Sequence, residues 1–413
     1  MTKNRVLMFV ENAYPQDTRV RNEATLLSQA GYKVTVIALG KKGQPRTDTV
    51  DGVTVYRIPR LELFQKTPRE HPTAIQKLLI RMKTLIGYVA EYAYFTTACS
   101  AMSLYVALKD GFDIIHAHNP PDTLWLVALP WKLFGKKYVF DHHDLCPELY
   151  RSRYKVRRDL LTGILQTVER GNLTLANAVI ATNESYKQIE VQRSGRRPDT
   201  IFVVRNGPNG NRMELPSPNP RLRGTGKTIL CYIGSLNPQD GVDYLLRSLH
   251  YLVEDLKRHD FHCVIMGDGD SFDDLCSLSR KLQLNDYVEL TGYVSEDELR
   301  QNLAAADICV DPDPSSPLND VSTWIKIMEY MAAAKPIVSF DLKETRYSAG
   351  DAALFVPCND EPAFARAIAK LADDAPLRDR MGRLGRQRVE KELQWSIVGK
   401  NLLTAYASLC QKP

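Results

Sequence analysis

At 413 residues, with 44% hydrophobic and 25% charged residues, the chain has the composition of an ordinary soluble globular protein and is too long for one core, which implies two domains. The eight cysteines are scattered singly, without a CxxC pair or metal-ligand spacing; this excludes a disulfide framework and reads as buried thiols in a reducing cytosol. The net charge of +5 hides an asymmetry: residues 1–205 hold 30 Lys+Arg against 19 Asp+Glu, and residues 206–413 hold 24 against 30. A basic first half suits an anionic partner such as a phosphate or an anionic lipid surface.

RVLMFV opens the chain as a first strand rather than a secretory leader, because acidic and turn residues follow at once. In the loop after it, YPQDTRV (14–20), Asp17 can cap the next helix and Arg19 can reach a phosphate. KVTVIAL and VTVYRI are the next strands. Residues 74–108 form a long apolar stretch, and from Leu85 to Leu108 it has transmembrane length with only Glu91 charged. Its Ala, Thr, Ser and Tyr, and its place inside a βαβ series, predict a long cover helix instead. Its leading turn sets Lys77, Arg81 and Lys83 among Leu78, Leu79, Ile80 and Met82. Together with RSRYKVRRD (151–159), that turn could touch an anionic membrane surface.

DIIHAH, KYVFD, AVIAT and TIFVVRN continue the strand series up to a Pro/Asn/Gly-rich linker, NGPNGNRMELPSPNPRLRGTGK (206–227). The rhythm then restarts with TILCYIG, HCVIMG, YVELTG, DICVDP, KPIVSF and ALFVP. Near-continuous apolar strands separated by helices mean parallel sheets covered on both faces. The fold class is therefore α/β: two doubly wound, Rossmann-like domains facing a cleft, spanning 1–205 and 206–390. A C-terminal helix within 391–413 is expected to pack back on the first domain. In such sheets ligands bind outside the carboxyl ends of the strands.

The stretch NDVSTWIKIMEYMAAAKPIVSF follows one such strand end. Ser322 and Thr323 are good helix N-cap types, and a helix N-terminus there offers free backbone N–H groups to a phosphate. A lysine so near a helix N-terminus opposes the dipole, and a bound diphosphate would make Lys326 welcome. Glu329, one turn on, supplies a carboxylate for sugar hydroxyls. Asp311 and Asp313, in DPD, read as strand-end and turn residues. In the first domain HAHN ends a strand, with His118 facing the cleft and His116 facing the opposite side as a core histidine. FDHHDLCPEL ends the next strand with His142, His143, Asp144 and Glu148. Their spacing lacks a fixed metal pattern, so acceptor recognition or acid/base assistance by His143 or Glu148 is the preferred reading.

The run DICVDPDPSSPLNDVSTWIKIMEYMAAAKPIVSF resembles the donor-binding region of GT4-type retaining glycosyltransferases, which have the GT-B fold. YPQDTRVRNEATLLSQAGYKVTVI, DIIHAHNPPDTLWL, VVRNG, CYIGSLNPQDGVDYLL and VELTGYV agree in order, so the resemblance covers nearly the whole chain. It implies transfer of a hexose from a UDP- or GDP-linked donor to a glycan or lipid-linked acceptor in surface polysaccharide biosynthesis, with retention of configuration. No cofactor and no obligatory metal are implied. His118 matches the histidine near the reacting carbon, and with Lys326 and Glu329 it forms the expected catalytic set. Gly234, Ser235, Tyr293, Val294, Asp320, Ser322 and Thr323 join Lys326 and Glu329 as donor-binding residues. Asp17, Arg19, His143, Glu148 and Asn206 are acceptor or phosphate-loop candidates.

The chain also departs from the family pattern. Glu329 matches the second glutamate of E-x7-E, but the first falls at Val321, with Asp320 one residue off. The phosphate-clamp arginine and lysine fall at Ser235 and Asp240. A K-x-x-E-Y-M-A helix, carrying Lys326, stands in their place. A GT-B protein that binds a sugar nucleotide or scaffolds a glycan pathway without turnover is the alternative. An NAD-dependent oxidoreductase lacks its G-x-G-x-x-G here, and nucleic-acid binding lacks aromatics interleaved with the basic residues. The expected location is the cytoplasm, peripheral on the cytoplasmic face of the inner membrane.

Overall fold

The computed structural model describes residues 4–61, 74–154, 156–157, 159–209 and 213–410. Lys155 and Arg158, and the side chains of Lys77, Leu78, Leu79, Ile80 and Arg81, lie outside what is described. The chain divides into two compact units, one of 1–147, 158–204 and 399–413, the other of 148–157 and 205–398. The return to the first unit therefore begins at 399 rather than at 391. The reason is packing: Val389 and Leu393 are buried in the second unit's core, and the Trp395 amide donates to Pro208 O at 3.0 Å.

The first unit holds strands β1 (Arg5–Ala13), β2 (Lys33–Leu39), β3 (Thr47–Val50), β4 (Val53–Ile58), β5 (Ile114–His118), β6 (Lys137–His142), β7 (Ala178–Ala181) and β8 (Ile201–Val203). They form one sheet in the order β3-β4-β2-β1-β5-β6-β7-β8, parallel except where β3 pairs antiparallel with β4. Strand β3 has no apolar run to announce it. It is polar TDTV at a sheet edge, turned into β4 at Asp51 and Gly52, both at positive φ.

The second unit holds β9 (Thr228–Ile233), β10 (Phe261–Met266), β11 (Val288–Gly292), β12 (Ile308–Asp311), β13 (Ile337–Phe340) and β14 (Ala353–Val356). They form an all-parallel sheet in the order β11-β10-β9-β12-β13-β14. Strand order reverses between β1 and β5 in one sheet and between β9 and β12 in the other, which marks the loops after these strands as ligand positions. The helix Val242–Glu254 shows how the sheets are covered. Val242, Leu245, Leu246, Leu249, Leu252 and Val253 recur at helical spacing and are all buried. Fully burying one such side chain contributes about 1.5–3 kcal/mol.

No helix among the described residues is long and apolar enough to cross a membrane. The stretch of transmembrane length lies within the single helix Ala74–Lys109. Phe95, Cys99 and Val106 are buried on its inner face, as a cover helix requires.

Candidate functional site

In the first unit, Asp17 Oδ1 accepts from the Val20 amide at 3.0 Å and caps the helix Thr18–Gln29. That start places Arg19 and Glu23 one turn apart on the inward face. Arg19 does not extend toward an external phosphate. It is buried, and its Nε and Nη2 each donate to Asp141 at 2.7 Å, a bidentate clamp. Its Nη1 donates to Val204 O at 3.0 Å, and Glu23 lies 3.4 Å away. Burial pushes the Asp141 carboxyl up, but Arg19 outweighs it and holds it well below the usual carboxylate range.

His116 and His118 share one face of β5, because residues two apart in a strand point the same way. Their rings stack at 4.3 Å, which corrects the expectation of opposite sides. Both are fully buried, so the structure does not place His118 where a substrate could touch it. His118 Nδ1 lies 3.0 Å from Phe9 O, and Nε2 lies 3.1 Å from Glu23. His116 Nδ1 meets the Tyr406 hydroxyl at 2.9 Å. Glu23, His116, His118 and Asp141 bring ligand atoms within 4.8 Å of one another. These are ligand types a transition metal accepts, but the Arg19 guanidinium already supplies the positive charge among them.

His142, on the opposite face of β6, is also buried rather than exposed at the strand end. Its Nδ1 lies 3.0 Å from Glu190, and Glu169, 3.7 Å from Nε2, is held by Arg193 at 2.7 Å. Burial disfavours the imidazolium, but the two glutamates outweigh it and raise His142 to about 9. Glu190 is pushed up by its own burial, so the pair is best read as holding one proton between them. A raised histidine stabilises the fold fully below its unfolded value, near 6.5, and that stability is lost as pH rises through 9. Unfolding free energy is expected to fall by up to about 3 kcal/mol across this window. Denaturant titrations at several pH values check it, and an unchanged slope in His142→Gln would rule the assignment out. His143 is 18% exposed at its side chain. Glu148 is buried beside Arg151 in the second unit's segment, 3.9 Å from it, and Asn206 is half-buried.

In the second unit the loop GSLNPQDG follows β9. Asp240 serves as a cap, its Oδ2 accepting from the Asn237 amide at 2.8 Å. Gly241, at φ 66°, approaches so closely that a Cβ would come within 2.2 Å of Pro312 O. This pins the loop against DPDP, which follows β12. The helix Ile325–Ala332 begins one residue after Trp324, which gives no side-chain cap. Ser322 and Thr323 therefore do not open it. Ser322 Oγ instead donates back to Leu318 O at 2.8 Å, at the end of the short turn Asn319–Val321. Thr323 Oγ1 accepts from Arg205 at 3.5 Å.

Lys326 is buried, with Nζ 3.0 Å from Asp311 and 2.6 Å from Asp313. Its ammonium also lies over the Tyr232 ring at 4.9 Å. So it does not stand as a free charge awaiting a phosphate. Burial and the charge of Asp311 hold the Asp313 carboxyl well above the usual range. Burial also pushes Asp311 up, but Lys326 outweighs that and holds it below. The ammonium and one ionised carboxylate therefore nearly cancel. Arg205, not among the sequence candidates, is the other cation here: it pairs with Glu344 at 3.2 Å and lies 4.0 Å over Tyr347. Glu329 is half-buried on the same helix as Lys326, and Ser235 and Tyr293 are exposed in the loops after β9 and β11. Gly234 begins the loop after β9, and Val294 packs half-buried against the core. Asp320 accepts from Ser315 Oγ at 3.2 Å.

Two doubly wound parallel-sheet units of this kind constitute the GT-B fold, and solved structures share it. Sucrose-phosphate synthase from Thermosynechococcus elongatus superposes with a TM-score of 0.71 at 19% identity, covering 98% of this chain and 99% of that one. Anabaena HepE in complex with UDP-glucose gives 0.70 at 14%, covering 98% and 100%. Residues 16–207 match the glycosyl transferase 4-like domain family, and residues 227–374 match glycosyl transferases group 1. An uncharacterized glycosyltransferase of Methanocaldococcus jannaschii is 24% identical, covering 92% of this chain and 90% of its own. Phosphatidyl-myo-inositol mannosyltransferase of Mycobacterium leprae is 28% identical over 73% of this chain and 75% of its own. The chain belongs to the GT4-type glycosyltransferases.

Proposed function

We propose that the protein transfers a hexose, with retention of configuration, from a UDP- or GDP-linked donor to a lipid-linked or glycan acceptor of a surface polysaccharide. The observation that carries this reading is the helix Ile325–Ala332 at the strand-order reversal of the second sheet. It opens after Trp324 with no side-chain cap on its first-turn amides, with Lys326 buried against Asp311 and Asp313 and Glu329 one turn on. A diphosphate meets those amides, Arg205 adds charge beside Thr323, and Glu329 takes ribose hydroxyls. As the glycosidic bond breaks, negative charge grows on the leaving phosphate. Each fixed donor aimed at it is worth about 3–4 kcal/mol. The UDP-glucose bound by HepE favours UDP, and the mycobacterial relative's name favours a lipid acceptor.

Peripheral contact with a membrane on its cytoplasmic face fits an exposed apolar stripe in the first unit. Met82, Ile86, Val89, Leu104 and Leu108 line the outer face of Ala74–Lys109. Leu126, Leu129 and Leu133 are exposed on the helix Trp125–Leu133, which packs against it, and Lys83 and Lys137 are exposed on the same unit. The test is calorimetric titration with UDP, GDP, ADP and TDP, with and without EDTA, followed by transfer assays with anionic liposomes at low salt. Tight, EDTA-insensitive binding of one nucleotide and liposome-enhanced transfer are expected. Binding of none would favour a non-catalytic GT-B protein, and transfer indifferent to liposomes would remove the membrane contact.

A further inference from the structure

The irregular end of β1 carries a carboxylate with nothing to bond. Val10 pairs with Ala38 but Ala13 with Leu39, so Glu11 and Asn12 are extra residues in a bulge. Bulges re-aim side chains, and this one stands at the reversal of strand order between β1 and β5. Asn12 is tied back: its Nδ2 donates to Asp17 at 3.1 Å, and its Oδ1 accepts from the Ala13 amide at 2.8 Å. Glu11 is half-buried, and its carboxylate has no hydrogen bond or salt bridge among the described residues.

The helix Ala74–Lys109 supplies the facing wall. Its last turn sits at the amino ends of the strands, where Asp110 meets Lys33, the first residue of β2, at 2.9 Å. Its middle sits at their carboxyl ends. The Tyr94 hydroxyl donates to Pro59 O, just past β4, at 2.9 Å, and the Thr96 and Thr123 hydroxyls meet at 2.6 Å beyond β5. The 36 residues of the helix span about 54 Å, against about 30 Å for the 9 of β1. Residues before Tyr94 therefore stand beyond the strand ends. Tyr88, Glu91, Tyr92 and Phe95 recur at helical spacing on one face. Phe95 is buried, whereas Tyr88, Glu91 and Tyr92 are half-buried. Glu91 is the single charge between Leu85 and Leu108, and it too has no hydrogen bond or salt bridge among the described residues. An inner face that turns from apolar to carboxyl and phenol where it leaves the sheet presents convergent polar groups to a solute.

We propose that Glu11 and Glu91 select the acceptor: they receive the hydroxyls of an uncharged sugar ring and turn away a phosphoryl group. The inference rests on the transferase reading above. Ionised carboxylates accept strongly from hydroxyls, and tyrosine rings beside them suit the apolar face of a pyranose. A phosphate in the same corner would meet two like charges, with the exposed Arg60 opposing them. Burial pushes the Glu11 carboxyl up to about 7, Arg60 pulls it down and Glu91 pushes it further up. The Tyr92 hydroxyl is raised by burial, and after that by Cys146, Glu11, Asp122 and Tyr88, which completes the ionisable groups around the corner. A hydroxyl donating to Glu11 favours its ionised form, so affinity is full above about pH 7 and falls as pH drops through it.

The experiment titrates the full chain with n-octyl glycosides of glucose, galactose, mannose and N-acetylglucosamine, and with n-octyl phosphate, by saturation-transfer NMR below micelle concentrations. The shared octyl chain cancels binding through the apolar stripe. At about pH 8 one glycoside or more should bind at least about 10-fold more tightly than octyl phosphate. Its affinity should fall about 3- to 10-fold by about pH 6. Glu11→Gln and Glu91→Gln remove no internal bond, so each should keep the circular dichroism spectrum and weaken that glycoside about 10-fold. Glu11→Gln should also flatten the pH dependence. No glycoside bound, octyl phosphate bound as tightly as the best glycoside, or affinity untouched by either variant would each overturn the proposal. Should one variant fail to fold, the other and the pH profile of the parent decide. Nucleotide binding in the same samples should be unchanged by both variants. Its absence from the parent would count against the transferase reading, while the glycoside titrations still decide the role of the two carboxylates.

Discussion

Lys326→Met is expected to destabilise the protein by about 3–5 kcal/mol. The ammonium neutralises a carboxylate that cannot reach water. Asp311 and Asp313 are both fully buried, and Lys326 is within 3.0 Å of each. Removing one partner of a buried pair leaves the other charge uncompensated, which costs far more than the pair itself contributes. Asp313→Asn is the control. Burial and Asp311 hold its carboxyl well above the usual range, so the site disfavours its charged form, and the neutral amide should cost less than about 1 kcal/mol. Urea unfolding followed by circular dichroism measures both. A Lys326→Met protein within 1 kcal/mol of the parent would sink the argument, since about that much is what an average point substitution costs.

Arg19→Met should have a similarly large effect, about 3–5 kcal/mol, for a different arrangement of charge. The guanidinium satisfies both oxygens of Asp141 and stands 3.4 Å from Glu23. Its loss leaves two carboxylates facing each other in the first unit's core, with only the histidines to share protons. Pairing it with Asp141→Asn removes one of the stranded charges. The double variant should therefore be more stable than Arg19→Met alone, a coupling that a double-mutant cycle reads directly. Additive losses would mean that the clamp carries no net interaction.

The architecture was legible because parallel strands buried on both faces spell themselves out as apolar runs: every expected strand is present. Strand β3 escaped because its polar TDTV alternates at an exposed edge, where only the Asp51-Gly52 turn hints at it. The two histidines of HAH were misassigned through parity alone, since His116 and His118 stand two apart and had to share a face. The partners of Lys326 were within reach of the same rule. Asp311 and Asp313 also stand two apart at a strand's carboxyl end, and a lysine inside a helix otherwise filled with Ile, Met and Tyr needs a counter-charge. What no local pattern could show is the meeting of Arg19 with Asp141, 122 residues away. That contact depends on β1 and β6 flanking β5, which is a property of the strand order. Arg205 was passed over for the same reason: its partners Thr323 and Glu344 stand 118 and 139 residues further along the chain.

The path of the chain has a consequence for how the molecule is made. The helix Lys400–Cys410 belongs to the unit begun at the other end of the sequence. Its Asn401 side chain donates to Val203 O at 2.9 Å, and its Tyr406 closes over His116. The second unit's share of the chain, through Val398, therefore precedes the helix that covers one side of the first unit's histidines. The unit translated first is finished last, and until then its histidines wait with one wall open.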